Sequence, residues 1–218
     1  MCDFTASAEN VLIPIDLVLS ACARTYSLAE VRFAPKIMGI DPARFGDDRS
    51  VIFCRQGLKT FAPLVFRRID NMTLADRAAR QINLFRPDGV FVDAGCGGGV
   101  IDRLRQLGFC VTEVPFGGAS LYPSQYANKR AEMWGELSRW LRAGGALVPS
   151  AELKADLCQV CYEYDAAGRM RLESKNKIKE RCGQSPDLAD ALALTFAAPV
   201  HPRHTGAKEF AGCEYDVI

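Results

Sequence analysis

Apolar and polar residues along the chain change period several times, and each change marks an element. Ile37, Met38, Gly39 and Ile40 form a short apolar run that ends on Asp41, followed by Pro42 and a polar, glycine-containing turn. That pattern predicts a buried strand leaving the core at a carboxylate. Strands over 50–55 and 60–69, separated by Gly57, complete a three-strand antiparallel meander. Thr73 is the expected cap of a helix running to about Phe85, closed by Arg86, Pro87, Asp88 and Gly89. A strand 90–93, a glycine-rich turn, a helix 100–107 and a strand 110–114 form a strand-helix-strand unit, which implies parallel pairing with a right-handed crossover. An amphipathic helix 127–143 stops at Gly144 and Gly145. A helix 151–161, a hairpin 162–172 turning at Asp165 to Gly168, a lysine-rich stretch and an apolar helix 187–197 between Pro186 and Pro199 close the pattern. The expected fold class is α/β, with a mixed central sheet of an antiparallel meander followed by parallel strands, flanked by helices.

Residues 1–34 differ in character from this block. A helix with apolar spacing over 13–24, with Asp16 as a possible cap, leads only into polar residues, so the segment reads as a linker or the remnant of an upstream domain. The domain is expected over 35–200, with a polar tail over 201–218. A chain of 218 residues is long enough for one such domain, and 49% apolar with 24% charged residues is ordinary for a soluble globular protein. The net charge of +1 averages over local basic clusters at 128–130, at Arg139 and Arg142, and over 169–181. Nine cysteines without framework spacing, and no signal-peptide pattern, point to a reducing cytosolic setting. No run approaches the roughly 18 apolar residues of a membrane helix, so no membrane partner is expected.

Four acids stand in comparable places. Asp41 ends the first strand, Asp93 ends the fourth, and Asp187 and Asp190 open the last helix. An ionised carboxylate at the edge of a core is costly unless paired or bound to a metal, although Asp41 would also suit a turn ahead of Pro42. The order of elements is that of the RNase H-like fold, in which these three places converge. Clustered carboxylates suit two Mg²⁺ or Mn²⁺ ions about 3.5–4 Å apart, which activate water and stabilise the leaving oxygen in phosphodiester hydrolysis. A zinc site is disfavoured, because both histidines, His201 and His204, lie in the tail and the remaining donors are one CxxC, Cys158 and Cys161. Those cysteines read as packing residues.

The segments GIDPARFGDD, VFVDAGCGGG, ANKRAEMW and LESKNKIKERCGQSPDLADALALTFA, taken in order, resemble the C-terminal nuclease domain of the large terminase subunit of tailed bacteriophages. The resemblance spans about 36–198, and its last segment is the most specific; the DxxDALA form is also similar to the final motif of Holliday-junction resolvases. It implies that Asp41, Asp93, Asp187 and Asp190 are catalytic metal ligands. It further implies cutting of concatemeric viral duplex DNA in the cytoplasm of an infected bacterial host. The expected partners are double-stranded DNA, an ATPase domain of the same full-length protein, a portal protein and a small terminase subunit. The chain has no GxxxxGK[ST] loop, so it would correspond to the nuclease part alone.

Two other readings compete. Asp93 to Gly99, DAGCGGG, fits the glycine-rich loop of S-adenosylmethionine-dependent methyltransferases, with Glu113 placed to grip a ribose, but Asp41, the meander and the final helix then go unexplained. A non-catalytic DNA-binding or portal-docking module on the same fold would be expected to lose one of the acids, and all four are present. Lys175, Lys177, Lys129 and Arg130 are the expected DNA contacts, the last two at a helix N-terminus suited to a phosphate. Trp134 and Trp140 read as core. Of the last two acids, Asp187 has a helix-dipole role that explains it. Asp190 lies at the edge of an apolar face and is the expected indispensable ligand, with Asp187 auxiliary.

Overall fold

The computed structural model describes residues 10–43 and 49–202. Asp47 and Asp48 of the first motif, and the tail beyond Pro202 with His204, lie outside the described residues. Two short helices, α1 (Ile15–Ala23) and α2 (Leu28–Val31), precede β1 (Lys36–Asp41), and β2 (Arg49–Gln56) pairs with β1 antiparallel. The expected third strand is broken into β3 (Lys59–Thr60) and β4 (Leu64–Arg67), both antiparallel to β2. The break falls at Ala62 and Pro63, where proline lacks the amide that a continuous ladder needs.

Helix α3 (Asn71–Phe85) is capped by Asp70 rather than Thr73: the Asp70 carboxylate accepts the Thr73 amide at 2.8 Å. β5 (Gly89–Asp93), α4 (Ala94–Gln106) and β6 (Thr112–Val114) form the expected crossover unit, with β5 parallel to both β1 and β6. The sheet order is β3-β2-β1-β5-β6, with β4 beside β3 on β2. Then come α5 (Lys129–Arg142), α6 (Ala151–Cys158), a separate hairpin of β7 (Tyr162–Tyr164) and β8 (Met170–Leu172), α7 (Lys175–Cys182) and α8 (Asp187–Leu194). The mixed α/β sheet of the sequence analysis is what forms.

The expected glycine-rich turn is instead the opening of α4, directly after Asp93. Its glycines serve packing. A Cβ on Gly97 would stand 3.0 Å from Val92 Cγ1, and one on Gly99 would stand 2.8 Å from Asn71 Nδ2, so bare backbone lets α4 lie against β5 and α3. A helix wedged in this way offers no open loop to cradle a methyl donor, and the methyltransferase reading loses the feature that suggested it.

Strand alternation sorts the core into two layers. Met38, Ile40, Val90 and Val92 pack on α3 and α4; Ile37 and Phe91 face the layer that holds α1, α5, α6 and α8. Asp41 and Asp93 are each one residue beyond the paired Ile40 and Val92, so both belong to the α8 side. The α1 region packs on this layer. Ile13, Val18 and Ala21 of the α1 region are fully buried in it, and Arg24 donates to the carbonyls of Leu141 and Gly145 at 2.9 and 3.0 Å. No helix among the described residues is long and apolar enough to cross a membrane.

Helix α8 is buried along its whole length. It reaches β1 only because Gly39 has no side chain: a Cβ there would overlap the Ala191 carbonyl oxygen and lie 2.9 Å from Leu194 Cβ. Gly39→Ala should therefore destabilise the chain by at least about 1–3 kcal/mol, the usual cost of overpacking. Urea denaturation measures it, and parental stability would mean that α8 can move off the sheet freely.

Candidate active site

A cleft of about 1100 Å³ opens at the carboxyl ends of β1 and β5, and Asp41, Asp93 and Asp187 line it together with Lys175 and Lys177. The fold brings the three acids together from β1, from the junction of β5 and α4, and from the first turn of α8. Their environments differ from that of Asp190, the fourth expected acid.

Asp190 is 0% exposed, and nitrogen donors fill both of its oxygens. Oδ1 accepts from Arg130 Nε at 3.0 Å and from Trp134 Nε1 at 2.8 Å; Oδ2 accepts from Arg130 Nη2 at 3.3 Å and forms an ion pair with Lys175 Nζ at 3.1 Å. Burial disfavours its charge, but Arg130 and Lys175 outweigh burial and hold the carboxyl below the usual range. Asp190 is thus an anchor behind the cleft whose charge is met by protein groups. The apolar face of α8 conceals protein partners, Arg130 and Trp134, for the charge of Asp190, the acid expected to be the indispensable ligand.

The cleft acids are compensated less. Asp41 meets Lys175 Nζ at 3.2 Å, and burial, together with Asp190, Asp93 and Asp187, pushes its pKa well above the usual value against the pull of Lys175. Asp93 accepts the Gly95 amide at 3.2 Å; burial raises its carboxyl, while Lys175, that amide and a hydrogen bond with Asp41 oppose the rise. Asp187 Oδ2 accepts the Arg49 amide at 3.0 Å and Arg49 Nε at 3.4 Å, and burial again raises the carboxyl. Lys175 carries the complementary shift: burial works against its charge, but Asp190 and Asp41 hold the ammonium above its ordinary range.

Among the described residues no three acid, thiol or imidazole groups close on a common point as a finished metal site. The ammonium of Lys175, between Asp41 and Asp190, holds the positive charge at the centre of the cluster. The donor set nevertheless fits hard divalent cations: three buried, under-compensated carboxylates at an accessible cleft favour Mg²⁺ or Mn²⁺ over softer ions.

The expected DNA contacts divide in the same way. Lys129 pairs with Glu132 Oε1 at 2.6 Å, and Arg130 is buried against Asp190 and donates to the Glu173 carbonyl at 2.9 Å. Neither presents an open cation at the start of α5. Lys175 sits among the acids, and Lys177 is exposed on the cleft wall. Trp134 is core, as expected, and also donates to Asp190. Sequence reasoning missed Arg49 and Asp156, which form a buried pair at 2.9 Å behind Asp187.

A carboxyl whose pKa is raised on folding favours the fold below its unfolded value of about 3.9 and loses that contribution as pH rises through the folded value. In metal-free buffer Asp41→Asn should therefore melt above the parent at neutral pH, and the gap should close as pH falls. Asp190→Asn should melt below the parent, by about 3–5 kcal/mol, because Arg130 and Lys175 lose a buried partner. Thermal melts over a pH series check both, and the reverse ranking would reverse the roles of the two acids.

No family model matches the sequence. No curated protein matches it either. Solved structures do match. A variant of the nuclease domain of the large terminase subunit gp2 of bacterial virus Sf6, solved with manganese and β-thujaplicinol, superposes with a TM-score of 0.72 at 19% identity, covering 87% of this chain and 100% of that one. The large terminase nuclease from thermophilic phage G20c with bound magnesium gives 0.58 at 15% identity, over 87% and 98% of the two chains. The nuclease domain of the large terminase of Thermus phage P74-26 gives 0.59 at 13% identity, over 86% and 94%. The chain has the RNase H-like fold of the phage large-terminase nuclease domains.

Proposed function

We propose that the chain is the metal-dependent endonuclease domain of a viral DNA-packaging terminase large subunit, cutting concatemeric duplex DNA by phosphodiester hydrolysis. The observation that carries this reading is the convergence of Asp41, Asp93 and Asp187 on one cleft, each with its carboxyl raised, while Asp190 is neutralised behind them. Structures of the same fold hold manganese and magnesium, which supports the choice of ions. Two such ions, held by Asp41, Asp93 and Asp187, would activate the attacking water and stabilise the leaving oxygen.

The chain's own residues do the remaining work. Asp41 and Asp93 end neighbouring parallel strands, so the two carboxylates stand side by side at the cleft. Lys175 puts a positive charge beside the reacting phosphate, where developing charge needs it. Lys177, exposed on the wall, binds backbone phosphate without reading sequence. In this setting the ATPase motor belongs to the same full-length protein, the portal protein and small terminase subunit are its partners, and the host cytoplasm is where it acts. A non-catalytic binding module on the same fold would bind DNA and leave it intact.

Supercoiled plasmid should be cut with Mn²⁺ or Mg²⁺ and stay intact with EDTA. Substitutions behind a metal ligand cost about 10–100-fold, so Asp41→Ala and Asp93→Ala should each lower cleavage at least about 100-fold. Uncut plasmid with titrated metal would leave the binding module as the reading. Lys177→Glu should weaken duplex binding and reduce the slope of log affinity against log salt by about 1. A fluorescence titration over a salt series measures this, and an unchanged slope assigns Lys177 to bulk solvent.

A further inference from the structure

We infer that Arg49 and Asp156 are a positioning pair that presents one oxygen of Asp187 to the cleft; as a statement about a metal-binding carboxylate, this rests on the function proposed above. Arg49, at the start of β2, is 3% exposed and ties that strand to α6 and to the turn that opens α8. Its Nη2 donates to both oxygens of Asp156, at 3.1 and 2.9 Å, and to the Ser185 carbonyl at 3.1 Å. Its Nε and its own backbone amide both address Asp187 Oδ2, at 3.4 and 3.0 Å. Nη1 reaches Glu152 Oε2 at 3.5 Å, but that side chain is 59% exposed and adds little.

Asp156, on α6, is fully buried and grips the same helix turn by a second route. The residue before α8 is Pro186, which makes no side-chain cap, and the Leu188 amide is satisfied by Asp156 Oδ2 at 2.9 Å. Burial pushes the Asp156 carboxyl up to about 6 against the pull of Arg49, so the pair is costly to keep in the interior. A buried ion pair of this kind is no better for stability than apolar residues of the same volume. What it does supply is geometry. Among the described residues Asp187 Oδ1 accepts no hydrogen bond, so the pair fixes the carboxylate through Oδ2 and leaves Oδ1 available at the cleft.

Asparagine at 156 keeps a cap acceptor for Leu188 but removes the charge that orients Arg49, and lysine at 49 keeps a charge but loses the fork. The two variants therefore separate positioning from capping. Mn²⁺ binding is titrated by electron paramagnetic resonance in the parent, Asp156→Asn, Arg49→Lys and Asp187→Asn, with circular dichroism to verify the fold. Affinity should fall about 10–100-fold in Asp156→Asn and Arg49→Lys, and adding Asp156→Asn to Asp187→Asn should cost nothing further. Parental affinity in both variants, or an equal further loss in the Asp187→Asn background, overturns the proposal. A parent that binds no Mn²⁺ removes the nuclease reading instead. The pair is then decided without metal by a melting double-mutant cycle between 156 and 187: non-additive effects support it, and additive ones overturn it.

Discussion

Four carboxylates are held out of water around one end of the sheet, and no chain can bury such a cluster without answering its charge. Three cations from three elements answer it: Arg49 from β2, Arg130 from α5 and Lys175 from α7. Much of the architecture on the α8 side delivers these cations. The hairpin and the cap at Ser174 set Lys175 at the first position of α7, and the cap at Asn128 sets Arg130 in the first turn of α5. The answer is uneven. Asp190 takes four nitrogen donors, whereas Asp41 takes one, so the unmet negative charge is displaced toward the cleft, where a ligand can reach it.

The same charge could not be gathered if the backbone stood further apart. Gly39 lets α8 touch β1, and Gly97 lets α4 close on the end of β5. Both contacts converge on the acids. The first brings Asp187 and Asp190 up to Asp41, and the second fixes the helix that Asp93 caps. Alternation along the strands then places Asp41 and Asp93 on the same face. Close backbone approach and a period of two are therefore enough to cluster carboxylates that lie far apart in sequence.

The sheet, the hairpin and all four acids are legible in the sequence, because each depends on a local pattern: an apolar run, a turn residue or a helix start. The roles of the acids are not. Asp190 differs from Asp187 through Arg130, 60 residues away, and Asp187 is held by Arg49, 138 residues away. An aspartate on an apolar helix face looks like a ligand awaiting metal until the arginine that meets it is placed. Arg130 in turn looks like a phosphate contact at an open helix end. The glycines of α4 misled for a related reason: glycine permits a loop, but it also permits a helix to pack closer than any side chain would allow, and only the neighbours distinguish the two. The polar flanks of α1 are visible in sequence, whereas its contacts with α5 and α6 are not.

Of the three cations, Lys175 differs in kind. Arg49 and Arg130 are planar forks, each engaging a carboxylate through more than one bond, and moving either would strand a buried carboxylate. Lys175 is a point charge on a four-carbon stem, still partly exposed, that reaches Asp41 and Asp190 by single contacts. Withdrawing it from Asp190 leaves that acid with Arg130 and Trp134; withdrawing it from Asp41 leaves that carboxylate with no ion-pair partner among the described residues. The fold thus separates a fixed part of its charge balance, built from arginine, from an exchangeable part, built from lysine. The exchangeable part lines the cleft.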